Sequence, residues 1–454
     1  MSRASDGEVK TSADDGDNPP RPSGSGVAES KMDDAQHDGQ GGDSPSRNSP
    51  RSPEALSPDP QPLLRLTAGE QRTDDDDGNE NDKEAGGDVD DGADDGDNET
   101  TAMAAVIQSG DPDKLRMLLT GVSDVKAVEL LKEKYGGKFY NPMYDFDKHG
   151  LVSGTSPLLQ AARAGHVAML KAVMDAMRSR QVKIDFKEAD HCNRTLVQLA
   201  ARSGNKETFD AVVGGLPEEE VTIQLKGKDE FDDTVLDLAA ASGNEDTFGG
   251  VLDACRGGLS EEEINGLLTS RDALGRTVLM AAARSEGVGT FGAALAATRD
   301  ALGNDKEQVM IQLKGKDRLD QTLLHLAAQS GKEDTFHGVL DACRGGGLSE
   351  QEIKDLLMSR DKEGRTVLML AVSSRSGGTF REDTFHGVLD ACRGGGLSEQ
   401  EIKDLLMSRD KKGRTVLMLA VSSRSEGTFR AALAATKDAL GDDKQQVMIQ
   451  LKGK

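Results

Sequence analysis

The stretch TLLHLAAQSG at residues 322–331 is the clearest copy of a motif that recurs through most of this 454-residue chain. The motif is a Thr, two apolar residues, any residue, another apolar residue, Ala and a small residue. Further copies begin at Thr195, Thr234, Thr277, Thr366 and Thr415, and a variant, SPLLQAA, begins at Ser156. Successive copies start 39 to 49 residues apart, and a fixed period of this kind is typical of repeat architectures.

Each copy predicts a pair of short helices. The Thr hydroxyl can accept a hydrogen bond from an unpaired N–H at a helix start, and apolar residues follow at helical spacing. Ser-Gly ends the first helix in three copies, because Gly readily adopts the left-handed conformation that reverses the chain. A Phe 14 residues after each Thr predicts the core of a second helix, at Phe209, Phe248, Phe291, Phe336, Phe380 and Phe429. One helical pair cannot bury its apolar face alone, so we expect the pairs to stack.

The repeated unit resembles the ankyrin repeat, whose signature includes D-x-x-G-x-T-P-L-H-x-A-A-x-x-G-H. The closest matches are GTSPLLQAARAGH at 154–166 and DRLDQTLLHLAAQSG at 317–331. Aspartates open the units at Asp190, Asp229, Asp272, Asp317, Asp361 and Asp410, and the family's turn glycine is matched by Gly275, Gly364 and Gly413. The resemblance implies an all-α, ankyrin-like helical solenoid over residues 101–454. It would have a degenerate first repeat at 101–140 and further repeats starting near 154, 190, 229, 272, 317, 361 and 410.

These units are longer than the roughly 33 residues of an ankyrin repeat, and the excess follows the second helix. In one form, GGLSEEEINGLLTSRD at 257–272, Ser260 and Glu263 make a capping box that predicts an extra short helix between repeats. The other form, NDKEQVMIQLKGKD at 304–317, also favours a helix, although its β-branched residues leave a strand possible. We expect these segments to replace the family's hairpin finger. Residues 333–381 and 382–430 match at 47 of 49 positions, and this duplication predicts strain or a bulge near 376–385.

Residues 1–100 differ sharply in composition from the repeats. They hold 27 acidic and 9 basic residues, 9 of the 13 prolines and no aromatic residue. A segment with so much charge and so little apolar surface cannot offset its chain entropy by burial, so we predict a disordered acidic tail. Its four Ser-Pro steps are hypothetical phosphorylation sites, or incidental serines of a Pro-rich linker: Ser44, Ser49, Ser52 and Ser57. The Asp/Gly run at 74–99 lacks the spacing of a calcium loop and is interpreted as a solvated polyanion.

Composition also excludes several classes of protein. The net charge of −24 argues against binding nucleic acid or a membrane surface, because both are polyanions. The apolar runs are far shorter than a membrane span, and MSRASDGEVK has no apolar signal-peptide core. Four widely spaced cysteines indicate a reducing compartment. We therefore expect an intracellular chain, cytoplasmic or nuclear, that is not secreted.

No recognised catalytic, cofactor or metal motif is present, so we expect neither an enzyme nor a bound cofactor. His191 and Cys192 are adjacent, but neighbouring residues seldom hold one metal, and the interpretation is that no metal site exists there. Cysteines recur at one position of the DACRGG segments, Cys255, Cys343 and Cys392, where small buried side chains explain them better than reactive thiols.

The resemblance implies that partners bind on a concave surface formed by the repeat starts and the first helices. Arginines recur at the positions that map there: Arg194, Arg202, Arg276, Arg284, Arg365 and Arg414. They predict a groove for an acidic protein or for the chain's own acidic tail, and the alternative is a solvated face copied with the repeats. The function expected is a protein–protein interaction scaffold or adaptor, as a monomer with an unidentified partner. A second hypothesis is a regulatory fragment of a larger protein whose effector or enzymatic domain lies beyond the C-terminus.

Overall fold

The repeat threonines begin helices in the computed structural model, which describes residues 95–134, 155–374, 378–441 and 443–452, without the side chains of 95–101 and 378–380. The Thr side chain accepts a hydrogen bond from the backbone three residues on in most units, and Thr195, Thr234 and Thr322 form complete capping boxes. Thr277 is an exception, since its hydroxyl makes no such bond. The first helices are Pro157–Ala164, Leu196–Ser203, Val235–Ala241, Val278–Arg284, Leu323–Ser330, Val367–Val372 and Val416–Ser422.

A second helix follows each first helix after a tight turn. Gly204, Gly243 and Gly331 have φ of 71°, 74° and 73° at that turn, the left-handed conformation that the Ser-Gly pattern predicts. The second helices are Val167–Ser179, Lys206–Val213, Glu245–Gly258, Val288–Ala301, Glu333–Gly345, Gly378–Gly394 and Glu426–Leu440.

A third helix occupies the excess length in six units. Both sequence forms are helical, so the strand alternative for 304–317 is wrong. The third helices are Glu218–Lys226, Glu261–Thr269, Lys306–Lys314, Glu350–Met358, Glu399–Met407 and Lys444–Lys452. Ser260 and Glu263 form the expected capping box, and Lys226 of the preceding third helix lies 2.7 Å from the Glu263 carboxylate. The Lys226 contact and the Ser260 hydrogen bonds lower the pKa of Glu263 to about 2.

Units pack against their neighbours in sequence. Each first helix contacts its own second helix and the first helices of adjacent units, and the second helices contact one another in the same order. Asp95–Ser109 and Pro112–Gly121 contact the first and second helices of the next unit in the same way, with Asp124–Lys132 as their third helix. The described residues are therefore all-helical, with 23 helices and no β-strand.

The Phe residues of the repeat lie at the centre of each unit. Phe209, Phe248, Phe291 and Phe336 are at most 2 % exposed, while Phe429 in the last unit is only partly buried. In the duplicated unit the buried aromatic ring is Phe385. The side chain of Phe380 lies outside the described residues.

The structure corrects two expectations about local structure, and others concern residues that it does not describe. The duplicated segment is continuous helix from Gly378 to Gly394, so no bulge interrupts 378–385, and residues 375–377 lie outside the described part. The first helix runs from Asp95 to Ser109, so it begins within the segment predicted to be disordered rather than at 101. The rest of the predicted tail, including Ser44, Ser49, Ser52 and Ser57, and the start of the repeat near 154 also lie outside the described residues.

A five-residue turn stands at each unit start, after the third helix where one is present. In two units, isolated antiparallel bridges join the residues that flank this turn, Ala189 with Thr195 and Lys228 with Thr234. That the extra helices stand in place of the family's hairpin finger stays a prediction.

Candidate functional site

The unit-opening aspartates hold the turns together through one carboxylate oxygen. Asp272 Oδ1 accepts hydrogen bonds from Leu274 N at 2.9 Å and Arg276 N at 2.7 Å, while Asp272 N donates to Arg276 O at 2.9 Å. The same pattern recurs at Asp190, Asp229, Asp317, Asp361 and Asp410. The residue three after each Asp has positive φ: Asn193, Asp232, Gly275, Asp320, Gly364 and Gly413. Asn and Asp tolerate this conformation better than other non-Gly residues, which explains the choice of residues.

The second carboxylate oxygen binds an arginine in three turns. Arg276 Nε lies 2.6 Å from Asp272 Oδ2, and Arg365 and Arg414 make the equivalent bonds at 2.7 and 2.8 Å. The Asp side chains are 3 % exposed or less, and the Arg side chains are 17, 25 and 37 % exposed. Three of the six arginines predicted to bind a partner are therefore already ion-paired within their own turn.

The remaining three predicted arginines differ from this pattern. Arg194 reaches the next unit, where its Nε lies 3.0 Å from Asp229 Oδ2 and its guanidinium lies over the Phe231 ring at 5.7 Å. It is 4 % exposed. Arg202 and Arg284 are half-buried on their first helices. The six arginines thus have three arrangements, an ion pair within the turn, an ion pair to the next unit and a position on a first helix, and they do not form one set of available charges.

Backbone hydrogen bonds connect each turn to the next. Ala273 N donates to Phe231 O at 2.7 Å, and Arg318 N donates to Leu274 O at 2.7 Å. The equivalent bonds join Glu230 to Cys192, Lys362 to Leu319 and Lys411 to Glu363. The turns from 190 to 414 are therefore held side by side along one edge of the described repeats.

A second set of arginines, which the sequence motif did not single out, strengthens this edge. Arg360 Nη1 donates to Gly364 O at 3.1 Å in its own turn and to Arg409 O at 3.2 Å in the next. Arg271 makes the same two contacts, with Gly275 O and, at 3.1 Å, with Lys316 O. These guanidinium groups bind neutral carbonyl oxygens, so no described carboxylate offsets their positive charge. The only sequence signal for them is the repeated Arg-Asp pair at the unit starts.

The later turns carry a strong excess of positive charge. The four turns at 271–276, 316–321, 360–365 and 409–414 contain eleven basic and six acidic residues. Eight of those basic residues make no ion pair with a described carboxylate, and all are exposed except the half-buried Arg409. We call them the basic turn edge: Arg271, Lys316, Arg318, Arg360, Lys362, Arg409, Lys411 and Lys412.

The charge on the early side of the edge is reversed. The turn at 228–233 reads KDEFDD, with four acidic residues and one basic residue. Burial, with the neighbouring Asp229 charge, raises the pKa of Asp233 to about 6. Burial likewise raises the pKa of Asp237 to about 7, although its carboxylate accepts hydrogen bonds from Thr234 N at 2.9 Å and Thr234 Oγ at 2.7 Å. The turns therefore change from acidic to basic along one edge.

The repeated cysteines are core residues, as the sequence predicts. Cys255, Cys343 and Cys392 are fully buried, and burial raises the pKa of each thiol to about 12. A thiol with so high a pKa is almost entirely protonated at neutral pH and is a poor nucleophile.

Neither a protein-family model nor a curated protein sequence matches this chain. Among the described residues, no helix combines the length and apolar character needed to cross a bilayer.

Proposed function

We propose that this chain is a protein-interaction module, a scaffold or adaptor, whose units stack as an ankyrin-like solenoid and whose basic turn edge binds an acidic segment of a partner protein. The resemblance of the repeated unit to the ankyrin repeat supports the architecture, together with the ordered contacts between neighbouring units. The observation that supports the function is the row of eight cationic side chains, unpaired with any described carboxylate, on turns that backbone hydrogen bonds join side by side.

The electrostatics favour the turn edge over the predicted arginine groove. Arg276, Arg365 and Arg414 each face a buried carboxylate at hydrogen-bond distance, so recruiting them would leave that carboxylate buried without its partner. Residues such as Lys362, exposed and unpaired among the described residues, lose little on meeting an acidic partner. Complementary charge of this kind raises association rates and selects against basic partners.

An acidic peptide binding assay tests the proposal on the full-length chain. The probe is a fluorescent polyglutamate peptide long enough to span two turns, with affinity measured by anisotropy at low and high salt. The test variant combines Lys362→Glu, Lys411→Glu and Lys412→Glu. We expect it to bind about tenfold or more weakly at low salt, with the difference shrinking at high salt because exposed charges are then screened.

A matched control carries the same change in net charge elsewhere. Lys171, Lys306 and Lys437 are exposed lysines on helices, without an ion pair to a described carboxylate, and all three are changed to Glu. If both variants bind the peptide equally weakly, the affinity depends on net charge alone, and the assignment of the basic turn edge is contradicted. Tighter binding of an oligonucleotide of equal charge than of polyglutamate would contradict a protein partner.

A further inference from the structure

One turn of the six is chemically unlike the others. The turn opened by Asp190 carries His191 and Cys192 at the two positions that follow the aspartate, and no other unit-start turn has His or Cys there. Its arginine also behaves differently, because Arg194 donates to Asp229 of the next unit. This turn is therefore the place where the repeated arrangement has been altered.

The altered arrangement leaves one carboxylate oxygen without a partner. Asp190 Oδ1 accepts from Cys192 N at 2.9 Å and from Arg194 N at 2.8 Å, as in every other turn. Asp190 Oδ2 is buried and has no hydrogen-bond partner, in a residue that is only 6 % exposed. The corresponding oxygens of Asp229, Asp272, Asp361 and Asp410 each bind an arginine. A buried carboxylate oxygen without a partner carries a desolvation cost that a cation would remove.

The turn brings three metal-binding side chains together despite their adjacency in sequence. Ligand atoms of Asp190, His191 and Cys192 all lie within 4.8 Å of one another, and His191 Nε2 is 3.2 Å from Cys192 Sγ. Asn193, with φ of 59°, closes the turn behind them. Ligands of a tetrahedral zinc ion are separated by about 3.5 Å for bond lengths of about 2.0–2.3 Å. Side-chain shifts on the order of 1 Å meet that geometry.

We propose that Asp190, His191 and Cys192 form a zinc-binding site, with solvent supplying the fourth ligand on the exposed side of His191. Thiolate and imidazole together select zinc over calcium or magnesium, which prefer oxygen ligands. Binding transfers the Cys192 thiol proton to solvent, so a doubly charged cation meets two anionic ligands and one neutral imidazole.

The position of the site gives it a structural consequence. Cys192 O accepts the backbone bond from Glu230 N at 2.9 Å that joins this turn to the next. A metal ion held by the side chains of 190–192 therefore stabilises the backbone bond that joins this turn to the acidic turn at 228–233. Metal binding is expected to stabilise this part of the chain against unfolding, because the unfolded chain has no preformed site.

Metal titration of full-length protein tests the site. Protein without a histidine tag, reduced and freed of metal, is titrated with Zn²⁺ against a chromophoric chelator, and with Co²⁺ to observe sulfur-to-cobalt charge-transfer absorption. We expect one equivalent of zinc and a thiolate signal with cobalt. His191→Ala, at an exposed position, removes a direct ligand and is expected to weaken zinc binding at least tenfold, since even outer hydrogen-bond partners of metal ligands contribute about 10–100-fold.

Two further variants separate the site from other thiols and from general destabilisation. Cys192→Ser abolishes the cobalt charge-transfer band, while the matched variants His337→Ala and Cys343→Ser retain both zinc affinity and the band. If Cys192→Ser fails to fold, the soluble His191→Ala variant decides the question. Absence of one-equivalent zinc binding in the unaltered chain, or affinity that survives His191→Ala, would overturn the proposal.

Discussion

Replacing Asp361 by Ala removes the central side chain of one turn. Asp361 Oδ1 accepts bonds from Glu363 N at 3.0 Å and Arg365 N at 2.8 Å, and Oδ2 pairs with Arg365 Nε at 2.7 Å. Hydrogen bonds to a charged group contribute about 1.5–3 kcal/mol each, and losing one partner of a buried ion pair costs about 3–5 kcal/mol. The Arg365 side chain is 25 % exposed, so solvent offsets part of this loss. We expect a loss of about 3 kcal/mol.

The assay is urea unfolding followed by circular dichroism, with the midpoint and slope compared between variants. Asp361→Asn keeps an acceptor for the two turn bonds and loses the charge, so its expected cost is about 1–2 kcal/mol. Asp355→Ala is the matched control, because Asp355 is exposed on a third helix and its side chain bonds, among the described residues, Gln351 alone. Its change is expected within about 0.5 kcal/mol. If Asp361→Ala unfolds at the same midpoint as Asp355→Ala, the turn clamp contributes nothing and the reasoning is refuted.

Three further predictions follow from the same structure. Gly364 has φ of 75°, and a Cβ there would lie 3.3 Å from Lys411 N. Gly364→Ala is therefore expected to lower the free energy of unfolding by about 1–2 kcal/mol, and Gly364→Asn by less, in the same unfolding assay. Phe336→Ala, at a fully buried ring, is expected to cost about 3–5 kcal/mol, whereas Phe429→Ala, at a partly buried ring, costs clearly less; equal costs would contradict the packing. Burial raises the pKa of Asp237 to about 7, so the folded chain retains a proton that the unfolded chain releases, and stability falls as pH rises from about 4 to about 7. Burial lowers the pKa of His325 to about 4, so stability is lost as pH falls from about 6.5 to about 4. Thermal melts recorded across pH measure both slopes, and Asp237→Asn and His325→Gln should each flatten the slope of its own window. A slope that the substitution leaves unchanged would contradict the shifted pKa of that residue.

The helices were predictable from the sequence because their signals are local. The Thr at the start, the Ser-Gly at the end and the Ser260–Glu263 capping box each act within one helical turn, and all appear where the pattern predicts them. The side chain that each arginine pairs with was not predictable, because it depends on the position of the neighbouring unit. Arg365 binds its own Asp361, whereas Arg194, at the same position of the motif, binds the Asp229 of the next unit.

The arginine groove stays a prediction, and the charges available on it depend on the same contacts between neighbouring units. The arginine pattern predicted positive charge wherever Arg recurs, but side-chain charge is available to a partner only where no carboxylate already binds it. The residue before the unit-opening aspartate contains the necessary signal, since it is Arg or Lys in five of the six units. Only the observed bonds from their guanidinium groups to carbonyl oxygens show that these charges remain unneutralised.

The most direct test of the account compares two charge-reversal variants for binding of the same polyglutamate peptide. One variant changes Lys362, Lys411 and Lys412 of the basic turn edge to Glu, and the other changes Arg202 and Arg284 of the first helices to Glu. The account predicts about tenfold or greater weakening in the first and an affinity close to that of the unaltered chain in the second. Weakening confined to the second variant would contradict the turn edge and assign binding to the first-helix arginines.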